Sequence, residues 1–173
     1  METDIEIGDV TVHTRPATAD DLPALLKIER ESFEFPWSES KFITFLRRRN
    51  HAIFVAECGS QVVGFVACEL SLESLHLPNI VVAEEFRRRG VGTSLFDALT
   101  SLLRDDGVAS IYASAQETND AGMSFLLKLG FQPIKLLQDF FNMRPDGFRF
   151  RWKLSGGSDK ANNAALNPGS KVF

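Results

Sequence analysis

Tyrosine is nearly absent from this chain: Tyr112 stands alone against 15 phenylalanines. Phenolic hydroxyls, which many enzymes use as proton donors, are therefore scarce. Cysteine is scarce too, since Cys58 and Cys68 are too few for a disulfide framework. We expect both to be small apolar side chains in neighbouring strands of a reduced protein.

The sequence also lacks a long apolar run, an exporting leader and an excess of positive charge. No segment approaches the length of a membrane span, and the acidic start Met1-Glu2-Thr3-Asp4 is unlike a signal peptide. The net charge of −4 gives no general attraction to nucleic acid or to an anionic membrane. We therefore expect a cytoplasmic protein without a nucleic-acid or membrane partner, in which any anion site is local.

The 173 residues have the pattern of a single α+β domain. Residues 1–8 are expected to form a flexible N-terminus, residues 9–154 the domain, and residues 155–173, which are small and polar, a disordered tail. Pro78 lies inside a predicted strand and indicates an edge, a bulge or a splay. The predicted strands are 9–15, 52–58, 61–70, 75–82, 110–115, 131–141 and 147–154, and the predicted helices are 18–31, 38–49, 90–106 and 119–129.

A glycine-containing loop joins the strand that ends at Val82 to the next helix. Its sequence is Arg87-Arg88-Arg89-Gly90-Val91-Gly92. A strand that turns through glycines into a helix presents unpaired backbone N–H groups at the positive end of the helix dipole. Arginine side chains can add charge and bidentate contacts to phosphate oxygens. The sequence therefore predicts a phosphate-binding loop at residues 87–92.

The order of elements and three motifs resemble a known superfamily. Arg87-x-x-Gly90-x-Gly92 is similar to the acyl-CoA signature Arg/Gln-x-x-Gly-x-Gly/Ala of the GNAT superfamily of acyl-CoA N-acyltransferases. A second segment resembles that superfamily's Asn-x-x-Ala-x-x-x-Tyr-x-Lys-x-Gly-Phe pattern; here it reads Asn119-x-x-Gly122-x-x-x-Leu126-x-Lys128-Leu129-Gly130-Phe131. The segment Glu31-Ser32-Phe33-Glu34-Phe35-Pro36-Trp37-Ser38 resembles the Ala/Ser-Phe-x-x-Pro-Trp-Ser of protein N-terminal alanine acetyltransferases, including those that act on a small-subunit ribosomal protein.

This resemblance implies a GNAT fold, three layers α/β/α around a mixed, mostly antiparallel and splayed sheet. It implies acetyl-CoA in the cleft between strands 75–82 and 110–115, and no metal. The cofactor contacts that it implies are the backbone of Ile80, Val81 and Val82 for pantetheine, Arg87, Arg88, Arg89, Gly90, Val91, Gly92 and Thr93 for pyrophosphate, and Asn119 near the pantetheine arm. The loop with Phe33, Phe35, Pro36 and Trp37 would form a substrate lip, facing the 139–148 hairpin.

Two positions that carry acid and base in such enzymes are altered. The tyrosine that often protonates the CoA thiolate is matched by Leu126, and the strand position that often carries Glu or His is matched by Ser114. Three alternatives stay open: catalysis by proximity and oxyanion stabilisation alone, a substitute base, or acyl-CoA binding with little turnover. The first choice of substitute is His76, acting through water, ahead of Glu69, Glu73 and Tyr112.

The predicted activity is N-acetyl transfer from acetyl-CoA to a primary amine by direct attack on the thioester. Deprotonation near pH 7 costs a lysine about 4–5 kcal/mol and an N-terminal α-amine about 1 kcal/mol. A weak base therefore favours a protein N-terminal α-amine. A small-molecule amine remains the alternative substrate, and the protein is expected to be a monomer or a homodimer. Phe140, Phe141 and Phe148 keep an apolar wall where relatives often have tyrosines.

Overall fold

The computed structural model describes residues 3–7, 10–103, 108–137 and 146–154. These residues form one eight-stranded sheet in the order β1-β2-β3-β4-β5-β6-β8-β7, with helices on both faces. Only β5 and β6 pair in parallel; the other neighbours are antiparallel. The elements are β1 Thr3–Ile7, β2 Val10–Pro16, α1 Leu22–Ser32, α2 Glu39–Leu46, β3 His51–Cys58, β4 Gln61–Leu70, β5 Ser74–Val82, α3 Val91–Leu102, β6 Ser110–Gln116, α4 Asp120–Lys128, β7 Gln132–Leu137 and β8 Gly147–Lys153.

The first strand corrects one expectation. Residues 1–8 were predicted as a flexible N-terminus, whereas β1 pairs antiparallel with β2. Asp4 and Glu6 are exposed and alternate with Ile5 and Ile7 in the sequence, which is the period of a strand. The predicted tail 155–173, the helix end at 104–106 and the hairpin segment 138–145 lie outside the described residues.

Two apolar cores lie on opposite faces of the sheet. The α1/α2 core joins those two helices to one face of β3, β4 and β5, and its centre is Leu25, Phe42 and Phe65. The α3/α4 core covers the other face and extends to β6 and β8; Leu95 and Ile111 are fully buried in it. Each such side chain contributes about 1.5–3 kcal/mol when it is withdrawn from water. The cores hold β5 between them.

Strand β5 contains an irregularity at its centre. Its pairing with β4 shifts by one residue between Ala67 and Glu69, so that Leu77 and Pro78 together lie opposite Cys68. The parallel pairing with β6 ends at Leu77. Because proline has no N–H to donate, the ladder with β6 cannot continue through Pro78. Both a bulge and a splay, two of the outcomes that Pro78 indicated, therefore occur at this point.

The bulge exchanges the two faces of β5. Before it, Leu75 and Leu77 belong to the α3/α4 core. After it, Val81 belongs to the α1/α2 core, while Ile80 and Val82 contact the α3/α4 core. One extra residue in a strand reverses the direction of every later side chain. Before the bulge, the odd-numbered residues of β5 therefore face the α3/α4 core, and after it the even-numbered residues do.

Candidate functional site

A cleft opens where β5 and β6 separate, with α4 along one side. Its cavity volume is about 110 Å³. It lies between the half of β5 that follows the bulge and the end of β6, which is the place where the sequence predicted acetyl-CoA. The lining residues are Phe33, Leu77, Pro78, Asn79, Ile80, Ala113, Ser114, Ala115, Asn119, Gly122, Phe125 and Leu126.

The backbone of β5 offers hydrogen-bonding groups to this cleft. Backbone groups of successive residues in a strand point to opposite sides. Ala83 donates its N–H to the carbonyl oxygen of Val63 at 2.9 Å, toward β4. Val81 therefore also faces β4, whereas Ile80 and Val82 face the cleft. Of the three predicted pantetheine contacts, Val81 is directed away, and its side chain is buried in the α1/α2 core.

The glycine loop ends in a set of unpaired N–H groups at the start of α3. Gly90 precedes the helix with φ +92°, a left-handed conformation that favours glycine. Ser94 donates to the carbonyl oxygen of Gly90 at 2.9 Å and so makes the first bond of the helix. The N–H groups of Val91, Gly92 and Thr93 consequently have no acceptor within the helix. This arrangement fits a pyrophosphate.

Gly92 also has a packing role. A Cβ built on Gly92 would lie 2.9 Å from Cζ of Phe125, a ring that lines the cleft. Glycine therefore lets α3 approach α4 closely at the mouth of the cleft. Val91, another predicted contact residue, has a fully buried side chain and offers only its backbone.

The three arginines of the loop have different environments. Arg87 donates from Nε to the carbonyl oxygen of Val82 at 2.8 Å and from Nη2 to Oγ of Ser32 at 3.1 Å. Its side chain thus ties the loop to the ends of β5 and α1. Arg88 is exposed with φ +62°, and Arg89 is exposed, its guanidinium 5.9 Å from the ring centre of Phe86. Arg88 and Arg89 are the side chains with freedom to reach a phosphate.

Asn119 caps α4 at the edge of the cleft. Its Oδ1 accepts from the backbone N–H of Gly122 at 2.8 Å, as an N-cap residue does. The Nδ2 group can still donate to a ligand, since asparagine offers both an acceptor and donors. Leu126, one helical turn beyond Gly122, is buried in the α3/α4 core and has no proton to give.

A buried carboxylate joins the walls of the cleft. Glu29 of α1 is 1% exposed, and its Oε1 accepts from the backbone N–H of Trp37 at 3.0 Å. Its Oε2 accepts from Nδ2 of Asn79 at 2.6 Å. Burial raises the pKa of Glu29, although the two hydrogen bonds oppose that shift. The sequence analysis missed this residue because nothing local to α1 marks a polar partner 50 positions away.

The predicted lip residues divide into cleft and core. Phe33 lines the cleft. Phe35, which is 45% exposed, and Pro36 lie at the surface. Trp37 packs in the α1/α2 core, its ring centre 5.3 Å from that of Phe42 and 5.2 Å from that of Phe45. Phe148 packs against the α3/α4 core, and Phe140 and Phe141 lie outside the described residues.

A polar row crosses the sheet beside the cleft. Each member lies directly opposite the next on the neighbouring strand. Nε2 of His51 is 3.7 Å from Oε2 of Glu69. Burial lowers the pKa of His51 below 6.5, so this contact is an ion pair only below neutral pH. The polar row consists of His51, Glu69, His76, Tyr112 and Arg151, and it brings together three of the four side chains that the sequence offered as a base.

His76 is the member of the polar row best suited to accept a proton. Burial lowers its pKa below the ordinary value of 6.5, the charge of Arg149 lowers it further, and Glu69 opposes both. The imidazole is therefore neutral at pH 7. Ser114 lines the cleft, and its buried Oγ has no hydrogen-bond partner among the described residues. Glu73 lies before β5, at the end of that strand remote from the cleft.

Known proteins with this pattern are acetyltransferases. Residues 22–131 match the acetyltransferase (GNAT) family. The [Ribosomal protein bS18]-alanine N-acetyltransferase of Escherichia coli K12 is 28% identical over 121 residues, which are 70% of this chain and 81% of the relative. The N-alpha-acetyltransferase of Saccharolobus solfataricus is 28% identical over 147 residues, covering 78% and 88%. The structure of Arabidopsis thaliana NAA60 in complex with acetyl-CoA matches the fold with a TM-score of 0.74 at 17% identity, covering 84% of this chain and 99% of that one.

The chain therefore belongs to the GNAT family of acetyltransferases. It is an acetyl-CoA-dependent N-acetyltransferase, and the family, the fold and the cofactor that the sequence predicted are confirmed. Among the described residues, no helix is both long and apolar enough to cross a membrane.

Proposed function

We propose that this chain acetylates the α-amine at the N-terminus of a protein. The observation that carries the proposal is the position of the cleft between β5 and β6. The half of β5 that lines it leads into the glycine loop, and His76 of the polar row directly precedes Leu77 of its lining. The names of the two relatives, an alanine N-acetyltransferase that acts on a ribosomal protein and an N-alpha-acetyltransferase, support the same acceptor.

The residues that would hold acetyl-CoA follow from the cleft. The N–H and C=O of Ile80 and the N–H of Val82 would pair with the pantetheine amides, while the C=O of Val82 accepts from Arg87. Nδ2 of Asn119 would donate nearby. The N–H groups of residues 91–93 would bind the pyrophosphate, with Arg88 and Arg89 supplying charge. Arg87 would act through the loop that it fixes.

Bound acetyl-CoA supplies an activated thioester carbonyl. The neutral amine nitrogen attacks that carbon, a C–N bond forms and the C–S bond breaks. The nitrogen loses one proton, and CoA departs as a thiolate that takes up a second proton either in the site or in solution. His76, neutral at pH 7, takes the first proton directly or through a water. Leu126 cannot supply the second, so the thiolate is protonated by water or leaves as an anion. An α-amine suits this weak acid–base equipment better than a lysine does.

The charge beside the cleft argues against a polycationic small amine. Such a substrate needs acidic walls, whereas β8 places Arg149 and Arg151 on the same face as Ser114 and Tyr112. A protein N-terminus carries one charge at its amine and is compatible with this face.

The proposal is tested by measuring CoA release from acetyl-CoA with three sets of acceptors. These are peptides with a free N-terminus, N-terminally blocked peptides with one lysine, and small amines such as polyamines and amino acids. We expect turnover of the free peptides at least tenfold above the blocked ones, from the difference in amine pKa. Turnover confined to small amines would contradict the proposal.

Cofactor binding is checked separately by calorimetry. Arg89→Glu places a negative charge beside the pyrophosphate and should weaken acetyl-CoA binding at least tenfold. Lys128→Glu, which makes the same charge change at an exposed position on α4, is the matched control and should bind as the wild type does. Equal affinity in both variants would remove Arg89 from the cofactor site.

A further inference from the structure

We propose that Arg149 and Arg151 bind a carboxylate that the acceptor carries close to its reacting amine. The preferred acceptor would be an N-terminus with aspartate or glutamate as its first or second residue. This inference rests on the proposed function and adds the chemical class of substrate to it.

The two arginines lie beside the reacting groups. Arg149 is directly opposite Ser114, and Arg151 is directly opposite Tyr112, on the antiparallel pair of β6 and β8. Opposite residues in such a pair have Cα atoms about 4.5–5.5 Å apart. His76 is the next residue along the polar row, on β5. Both guanidinium groups are therefore within side-chain reach of the place where the amine would be acetylated.

The arginines are on the sheet face opposite the α3/α4 core. Phe148 and Phe150 of β8 pack in the α3/α4 core, so the alternating residues Arg149 and Arg151 point to the opposite face. The α1/α2 core covers β3, β4 and β5 on that opposite face but includes no residue of β6 or β8. The α1/α2 core therefore does not extend over the two arginines.

The arginines also lack partners of their own. Nε of Arg149 is buried with no hydrogen-bond acceptor, and within the described part of the chain neither arginine forms an ion pair. A buried charged donor without an acceptor is costly and rare in native proteins. An incoming ligand that supplies the acceptor removes that cost. The unpaired N–H donor of Arg149 thus points to an anionic group in the acceptor.

A carboxylate is the anion that fits an N-terminal acceptor. Guanidinium groups bind carboxylates through paired hydrogen bonds with fixed geometry. Glu69, beyond His76, is the carboxylate of the polar row. Lys135, opposite Arg149 on β7, and Lys153, two residues beyond Arg151, add positive charge to the same face. The end of the polar row at β6 and β8 is therefore positive. The same chemistry could come from an acidic residue of a peptide or from the α-carboxylate of a free amino acid.

The test compares acceptors that differ by one charge. The full chain would be assayed with three sets of acceptors. These are peptides beginning Ala-Asp, Ala-Asn and Ala-Lys, peptides beginning Asp and Asn, and free glutamate and glutamine. We expect kcat/KM at least tenfold higher for each acidic peptide than for its amide twin. Arg149→Gln and Arg151→Gln should each reduce that ratio severalfold, and Arg149→Glu should favour Ala-Lys.

Lys153→Gln is the matched control, because it removes the same charge from the exposed end of β8, opposite Ser110. It should leave the ratio unchanged. If the wild type acetylated the acidic, amide and lysine peptides equally, the inference would be overturned while the proposed function stood. If free glutamate were the one acceptor used, and its turnover required Arg149 and Arg151, the carboxylate site would be supported and the proposed protein substrate would be wrong. No turnover of any acceptor, with acetyl-CoA bound, would overturn both.

Discussion

At the residue scale, the proposed proton acceptor is His76, whose pKa is lowered below 6.5 by burial and by the charge of Arg149. A lowered histidine pKa keeps the imidazole neutral and proton-accepting over the whole range in which an α-amine, with a pKa of about 8, begins to deprotonate. Acetyl transfer should therefore increase with pH through two steps, the first of them due to His76 and below pH 6.5.

We predict that His76→Gln lowers kcat roughly a hundredfold, the usual contribution of a general base. The variant should also lose the lower of the two pH steps and keep the upper one. The measurement is kcat/KM from pH 5 to 9, with His13→Gln as control because His13 lies three strands away in β2. A pH profile identical to that of the wild type would assign the proton transfer to water alone.

At the scale of elements, Glu29 holds α1, the loop before α2 and β5 in one arrangement. Glu29→Gln leaves one acceptor where two donors converge, since the amide of glutamine would face the Nδ2 of Asn79. We predict a loss of about 1–3 kcal/mol in the free energy of unfolding, measured by urea denaturation, and a raised KM for the acceptor. Adding Asn79→Asp restores a donor–acceptor pair and should recover part of the lost stability and part of the change in KM. No recovery would mean that these hydrogen bonds do not hold α1, the loop and β5 in place.

The start of α1 is held by a second buried carboxylate. Asp21 binds both terminal nitrogens of Arg15, at 2.8 and 2.9 Å, and accepts from the N–H of Thr18 at 2.7 Å. These contacts, the hydrogen bond from Arg15 first among them, lower the pKa of Asp21 from 3.8 to about 2. A lowered carboxyl pKa stabilises the fold above the unfolded value of 3.8, and the effect disappears as pH falls toward 2.

We therefore predict that Asp21→Asn lowers the free energy of unfolding by about 1–3 kcal/mol at pH 7. The difference from the wild type should shrink between about pH 4 and pH 2, where the wild-type carboxylate takes up its proton. Urea denaturation at pH 7, 4, 3 and 2 would show this. A difference that stayed constant down to pH 2 would attribute the loss to packing rather than to charge.

Short sequence patterns predicted most helices and strands, whereas the direction of side chains and the contacts between distant segments depend on tertiary packing. The glycine loop and the predicted helix 119–129 are each encoded within a few residues, the helix by asparagine at its start and glycine after its end. The structure has α3 and α4 at these places. The direction of Val81 depends on the register between β4 and β5, which no short segment specifies. Glu29 and its partners are far apart in sequence, so their contact emerges only when both cores are packed.

For the whole molecule, acetyl-CoA binding and stability are linked. A ligand at a hundred times its Kd adds about 2.7 kcal/mol, which raises the Tm of a chain this size by roughly 5–10 °C. We predict a smaller rise for Gly92→Ala, because the new methyl group would displace the Phe125 ring toward the cleft. The ligand-free Tm should stay level or increase, since alanine favours a helix.

Differential scanning calorimetry with and without acetyl-CoA measures both effects. Thr100→Ala, near the other end of α3, is the control and should show the wild-type rise. If Gly92→Ala lowered the ligand-free Tm instead, close packing of α3 on α4 would be its main role.

The two-for-one pairing in β5 also constrains how this chain can change in length. A deletion at Pro78 would exchange inward and outward positions for the remainder of the strand, placing Val81 against α3 and Ile80 beneath α1. At the hairpin turn Gly59–Ser60, both residues are exposed, and an added residue can be accommodated in the loop without changing which side chains of the strands face inward. In related sequences, insertions and deletions should therefore be frequent at that turn and rare at Pro78, so the number of residues from Pro78 to the end of β5 should stay constant.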